Sequence, residues 1–236
     1  LNQNISSDNN SAFGNSALQV NIGEQNSAFG SEALANNDNG SKNSAFGVRA
    51  LFNTLNGNKN AAFGSNALEA NTSGEYNSAF GDASMVSNET GDYNVGLGYN
   101  TLINLVSGSF NTVVGVASGG GIMSGSYNTI IGASVSVSSD VSNNIILADG
   151  AGNQRIRVLD TGFVGINTTS PSYLLHTVRT SDGIVAAFTD TDATCTVDPS
   201  DGDFSCTSDR NLKTNITVMG STLDAVMQLN PVTYNW

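Results

Sequence analysis

Charge is scarce in this chain. Asp, Glu, Lys and Arg supply 12% of its 236 residues, about half the share of an average soluble domain. Only 8 of the charged residues are basic against 20 acidic, for a formal net charge of −12. A nucleic acid or an anionic membrane would be repelled, and neither is expected as a partner. Proline is absent until Pro171, as suits strands that must all donate to one continuous ladder. No apolar run is long enough to cross a bilayer as a helix, so no direct membrane insertion is expected. Leu1 opens no signal peptide, and the chain reads as a piece of something longer. Neither of the two cysteines, Cys195 and Cys206, has the neighbouring histidines or thiols of a zinc site. No metal and no cofactor is expected.

Asparagine, glycine and serine fill the space that charge leaves, and they do so in order. A pentapeptide close to Asn-Ser-Ala-Phe-Gly begins at Asn26, Asn43, Asn60, Asn77, Asn94, Asn111 and Asn128, and closes at Gly30, Gly47, Gly64, Gly81, Gly98, Gly115 and Gly132. A further glycine stands three residues before each of those asparagines, from Gly23 to Gly125. A fixed period describes a quasi-one-dimensional stack whose units touch mainly their neighbours. The composition alone would suit a disordered chain, but apolar residues at regular positions argue for order.

A seventeen-residue unit is too short for a helical hairpin and suits a coil of short strands and turns. The expected fold is all-β: a parallel β-solenoid, or β-roll, of about eight coils stacked about 4.8 Å apart into a rod of roughly 40 Å. Two adjacent apolar residues in a strand point to opposite faces, and a strand apolar on both faces is buried on both. Phe29, Phe46, Phe63 and Phe80 are therefore expected to stack inside the coil, with Ala33-Leu34, Ala50-Leu51, Ala67-Leu68 and Ser84-Met85 closing its other wall. The remaining apolar face needs a cover. A homotrimer is the preferred one, because a single coil encloses too thin a core to offset its backbone entropy. The recurrent asparagines are expected to stack as an amide ladder along the axis. The glycines fit corners of positive φ or close backbone approach. Residues such as Asn37-Asp38-Asn39-Gly40 are expected to form an outward turn.

The pentapeptide repeats resemble the head repeats of trimeric autotransporter adhesins, over approximately residues 10 to 150. That resemblance implies a left-handed parallel β-roll wound as a trimer, although those head repeats are usually nearer fourteen residues.

The beat fails after Gly132, where Asn143-Asn144-Ile145-Ile146-Leu147 arrives early as the last coil and its cap. The division expected is a solenoid over 1–153, a β-rich connector over 154–207 and a third segment over 208–236. In the connector, Val164 to His176 looks like a module common in phage tail fibres. His176 is read as a packed strand residue rather than a catalytic or metal-binding one. Cys195 and Cys206 bracket an acidic turn. If that turn joins antiparallel strands they form a disulfide; otherwise they are two buried thiols.

Ser208-Asp209-Arg210-Asn211-Leu212-Lys213 resembles the opening of the intramolecular chaperone domain of endosialidases and phage tail spikes, as does Asn230-Pro231-Val232 further on. The resemblance implies a domain that trimerises a fibre and cuts itself off at Thr207-Ser208, with Ser208 as nucleophile and Lys213 as base. Spacing alone allows a blander reading, in which Ser208 and Asp209 cap a turn and Lys213 is solvated. With only the short stretch from Ser208 to Trp236 present, the dyad is expected to be idle in this chain.

The function expected is structural and binding: a segment of an extracellular trimeric fibre, either a bacterial surface adhesin or a phage tail fibre, that presents a multivalent surface to a host receptor or glycan. No separate enzyme activity is expected. A fibre-borne polysaccharide depolymerase would need two close carboxylates, and no acidic pair recurs on the repeat. An ice- or crystal-binding solenoid would need an unbroken hydroxyl row, and Ala61 and Val95 interrupt this one. The glycine-aspartate nonapeptide of calcium-loaded solenoids is absent.

Overall fold

The computed structural model describes residues 3–4, 8–189, 193–200 and 203–208. They form strands and turns with no helix, so none is long and apolar enough to span a membrane. One compact unit covers residues 1–178 and a second covers 179–236.

The first unit is a parallel β-solenoid of about eight coils. Each coil adds one strand of three or four residues to a common sheet, from Ser11–Phe13 and Ser27–Phe29 up to Thr129–Ile131 and Ile145–Ala148. The strands pair in parallel and in strict register, so that Ala28 lies beside Ala45, then Ala62, then Ala79. The first step in that sheet, Ser11 to Ser27, and the last, Thr129 to Ile145, are each one residue shorter than the seventeen of the others. The sequence beat thus runs one coil further at each end than the pentapeptide shows.

The opposite wall consists mainly of turns, tied coil to coil by bonds such as Leu34 N–H to Ala50 O and Leu51 N–H to Ala67 O, both 3.0 Å. A short parallel sheet of Gln3–Asn4, Val20–Asn21 and Asn36–Asn37 reinforces it in the early coils. The sharp corners come from left-handed residues at fixed positions, including Leu34 (φ 49°), Leu51 (φ 52°) and Leu68 (φ 52°). Non-glycine residues are uncommon there, and the coil-to-coil bonds hold them. Gly47 shows what its own corner demands. Its φ is 143°, and a Cβ on it would lie 2.3 Å from the carbonyl oxygen of Gly64 in the next coil.

The core is narrow. Ala28, Ala45, Ala62 and Ala79 point inward from the strands and meet Leu34, Leu51, Leu68 and Met85 from the turns, all fully buried. Strand and turn trade volume along the axis: where the strand offers Val113, the turn offers Gly119, whose absent Cβ would sit 3.0 Å from Leu102 and 3.3 Å from Val113. A close-packed interior tolerates such swaps only when total volume is kept.

The phenylalanines lie on the other side. Phe29, Phe63 and Phe80 are 37–40% exposed, which corrects the expectation that this row fills the coil. Alternation explains it. The asparagine must point inward to reach backbone groups, so the residue two positions on is also inward and the phenylalanine three positions on is outward. Asn37 departs from expectation in the opposite sense, being fully buried where an outward turn was expected, while Asp38 and Asn39 beside it are exposed.

After Ile145–Ala148 the sheet changes direction. Gln154–Val158 pairs antiparallel with that strand, Val164–Ile166 antiparallel with Gln154–Val158, and Leu175–Thr177 parallel with Val164–Ile166. These strands close the C-terminal end of the coil stack. The second unit contains a three-stranded antiparallel sheet of Ala186–Thr189, Ala193–Asp198 and Asp203–Ser208.

Candidate assembly face and C-terminal hairpin

Inside the coil, the predicted asparagine ladder is present. Asn26, Asn43, Asn60, Asn77, Asn94, Asn111 and Asn128 are buried. Each Oδ1 accepts the backbone N–H of the next asparagine, as from Asn77 to Asn60 at 2.9 Å and from Asn94 to Asn77 at 2.9 Å. Each Nδ2 donates to the carbonyl of the glycine fourteen residues on, as from Asn77 to Gly91 at 2.7 Å, except Asn128, which donates to Val141. The ladder thus joins side chain to backbone at every step and spends its amides on the fold.

A second buried row was missed in the sequence. Asn37, Asn71 and Asn88 each donate to the glycine carbonyl three residues on, at 2.7, 2.9 and 3.0 Å. The Asn-x-x-Gly spacing was its only signal. Thr54, Leu105 and Ile122 take the same place in other coils, so the row does not repeat as one residue type.

The outer face of the large sheet carries three columns. The outermost positions of successive strands are Phe29, Phe46, Phe63, Phe80, Leu97, Val114, Ile131 and Leu147, continued by Ile156 and Ile166 through the antiparallel strands. The four phenylalanine rings stack with centroids 4.7–4.9 Å apart and planes within 6°. A second column, also absent from the sequence reading, consists of Tyr76, Tyr93, Phe110 and Tyr127, stacked at 4.6–5.0 Å. Lys59 continues it below: its ammonium lies 4.5 Å from the Tyr76 ring centroid and donates to the Tyr76 hydroxyl, a bond that raises the lysine pKa. Between the two columns runs the row Ser27, Ser44, Ala61, Ser78, Val95, Thr112 and Thr129, flanked along its length by larger side chains.

One edge of this face is a continuous apolar column ten strands long, roughly 45 Å at about 4.8 Å per strand, with a mainly hydroxyl-bearing row beside it. Phe80, Leu97, Ile131 and Leu147 are all among its exposed residues. Off this face, Arg49 forms ion pairs with Glu69 at 2.8 Å and Glu32 at 3.5 Å and lies over Phe52.

At the closing end, the carboxylate of Asp149 accepts from Asn153 Nδ2, from Arg155 and from the N–H groups of Asn153 and Ala151. The Asn153 bond, then Arg155 and the two backbone N–H groups, hold its pKa well below the ordinary carboxylate range. His176 lies half-buried in its strand. Its Nδ1 accepts from Ser172 N–H at 3.2 Å and its ring meets Tyr173 edge-on.

In the second unit, Cys195 is disulfide-bonded. Cys206, the other cysteine of the chain, is its direct partner in the antiparallel register. Thr207 and Ser208 end the same strand, opposite Thr194 and Ala193. Lys213 lies outside the described residues, so the serine and lysine are not seen together. Among the described residues no group of three metal-ligating side chains occurs.

Residues 208–236 match the family described as chaperone of endosialidase. No curated protein and no solved structure matches the chain. A β-solenoid followed by that C-terminal match fits a protein of the tail-spike or tail-fibre type.

Proposed function

We propose that this chain is a segment of an extracellular homotrimeric fibre, of the phage tail-fibre kind, whose exposed sheet face is covered by neighbouring copies. The observation that carries this reading is the uninterrupted apolar column from Phe29 to Ile166 on a face that its own coil leaves open. Its corrugation repeats at the strand spacing, and the surface that shares that spacing over the same length is another copy of the chain. Trimerisation also supplies the second half of a core too thin to stand alone. The walls not used in assembly would then be displayed three times over to a host receptor or glycan, where multivalency raises avidity without new contacts. A bacterial surface adhesin would use the same arrangement, as the likeness of the repeats to adhesin heads suggests.

The C-terminal segment is proposed to act once, as a folding aid that removes itself. Ser208 Oγ would add to the Thr207 carbonyl carbon while Lys213 takes its proton. That proton would pass to the Ser208 nitrogen as the Thr207–Ser208 peptide bond breaks, and water would then open the resulting ester. A lysine serves as base only when burial lowers its pKa, which the assembled chaperone would have to supply.

Light scattering on the purified chain tests the assembly. A mass near three times 24.3 kDa is expected. A monomer whose mass does not change when the complete protein is expressed would sink the shared-face trimer.

A further inference from the structure

Two asparagines differ from all the others in the residue that follows them. Asn39 and Asn56 are exposed and each is followed by a buried glycine, Gly40 and Gly57; these are the two Asn-Gly pairs of the sequence. Their side chains touch each other, Asn39 Nδ2 to Asn56 Oδ1 at 3.3 Å, longer than a good hydrogen bond. Among the described residues, neither Gly40 nor Gly57 donates its N–H to an acceptor, as is also true of the equivalent Gly91 and Gly108, while Gly74 and Gly125 bond to Glu89 and Ser139; only Gly40 and Gly57 follow an asparagine. In the buried ladder both reacting groups are held. The Asn60 amide is bonded on both sides, and the following Ala61 N–H donates to Asn77 O at 2.8 Å.

We infer that Asn39 and Asn56 are sites of spontaneous deamidation, a built-in ageing modification of the solenoid. The Gly40 nitrogen, on losing its proton, adds to Asn39 Cγ. The new N–C bond forms a succinimide as ammonia leaves. Water then opens the ring at either carbonyl and yields aspartate or isoaspartate, so that each event consumes one water and releases one ammonia. Asn56 and Gly57 react in the same way.

The product has structural consequences. Isoaspartate lengthens the main chain immediately before Gly40, whose carbonyl accepts from Asn26 at 2.8 Å and from Asn37 at 2.7 Å. One event therefore disturbs both asparagine rows in that coil and adds a carboxylate to a chain already at −12. Serine at this position is compatible with the fold, because Ser73, Ser107 and Ser124 occupy it in other coils.

The test is to hold the purified chain at mildly alkaline and mildly acidic pH and map its peptides by mass spectrometry, with enzymatic methylation to count isoaspartate. Conversion at Asn39 and Asn56 should exceed that at any ladder asparagine by about tenfold or more, since the ladder reacts only when it opens. It should rise with pH, and N39S and N56S should each abolish the signal at their own site. Equal conversion across the asparagines would overturn the inference. So would amides at 39 and 56 that persist while the corresponding peptides of a denatured digest convert.

Discussion

Arg157 Nε donates to Asn144 Oδ1 at 2.9 Å, and this contact ends the asparagine ladder. Every earlier Oδ1 accepts from the next coil, as Asn128 does from Asn144 N–H at 3.1 Å. Asn144 has no next coil. Its strand is followed by the antiparallel Gln154–Val158, in which Arg157 is paired with the inward-facing Ile146. The guanidinium therefore takes the place of a backbone donor, although burial pushes its pKa down.

Replacing Arg157 by leucine should leave Asn144 Oδ1 without that donor. A loss of about 1–3 kcal/mol is expected, read as a lower midpoint in urea unfolding. An unchanged midpoint would mean that the ladder needs no terminator.

Within the ladder the cost should be larger. Asn77 accepts from Asn94 N–H and Nδ2 and donates to Gly91, so alanine there strands buried donors and an acceptor at once. About 3 kcal/mol is expected for Asn77→Ala. Asn77→Asp should be no better, because it keeps the acceptor but loses the donor and buries a charge. Thermal melts of the two variants would decide it, and an aspartate variant as stable as the parent would refute the role of Nδ2.

The period and the ladder were legible because one residue type repeats at every coil, and the close-approach glycines for the same reason. The facing of Phe29 to Phe80 was not, since adjacent Ala and Phe are both apolar. Which one fits inside depends on the width left by Leu34 and its equivalents, a three-dimensional quantity. The Tyr76 to Tyr127 column escaped because Gln25, Lys42 and Lys59 hold its position in the first coils. The Arg157 cap escaped because an arginine in an alternating strand looks solvent-facing.

The outer phenylalanines give a second test of assembly. Phe63→Ser removes two intrachain ring stacks, with Phe46 and Phe80, and should cost about 1–3 kcal/mol whether or not the face is covered. On a subunit interface it should in addition raise the concentration at which the oligomer dissociates. Sedimentation across a dilution series separates the two cases, and indifference of mass to Phe63→Ser and Phe80→Ser together would count against this face.

Asp149 should make the closing turn sensitive to acid. Its pKa is depressed in the folded state by Asn153, Arg155 and two backbone N–H groups. A depressed carboxylate stabilises above its unfolded pKa, and that contribution is lost as pH falls through the folded value. The parent should therefore be more stable than Asp149→Asn at neutral pH, with the gap closing only in acid below the ordinary carboxylate range. A gap that is constant with pH would show that hydrogen-bond geometry, not charge, holds the turn.

The proposed cut falls in a paired strand, and this shapes how it should be tested. Thr207 and Ser208 lie opposite Thr194 and Ala193, one step beyond the Cys195–Cys206 register pair, so the scissile peptide is held extended rather than in a loose loop. An extended, fixed carbonyl is a reasonable target for a neighbouring hydroxyl only if the base arrives correctly placed, which requires the assembled chaperone. The complete protein should accordingly yield two fragments on a denaturing gel. Ser208→Ala should give one uncut chain, and Lys213→Met should slow cutting at neutral pH far more than at high pH, where hydroxide can replace the base. Cys206→Ser should slow it as well, by loosening the strand without touching either reacting group. If Ser208→Ala is still cut at Thr207, the serine is not the nucleophile and the C-terminal segment is removed by another agent.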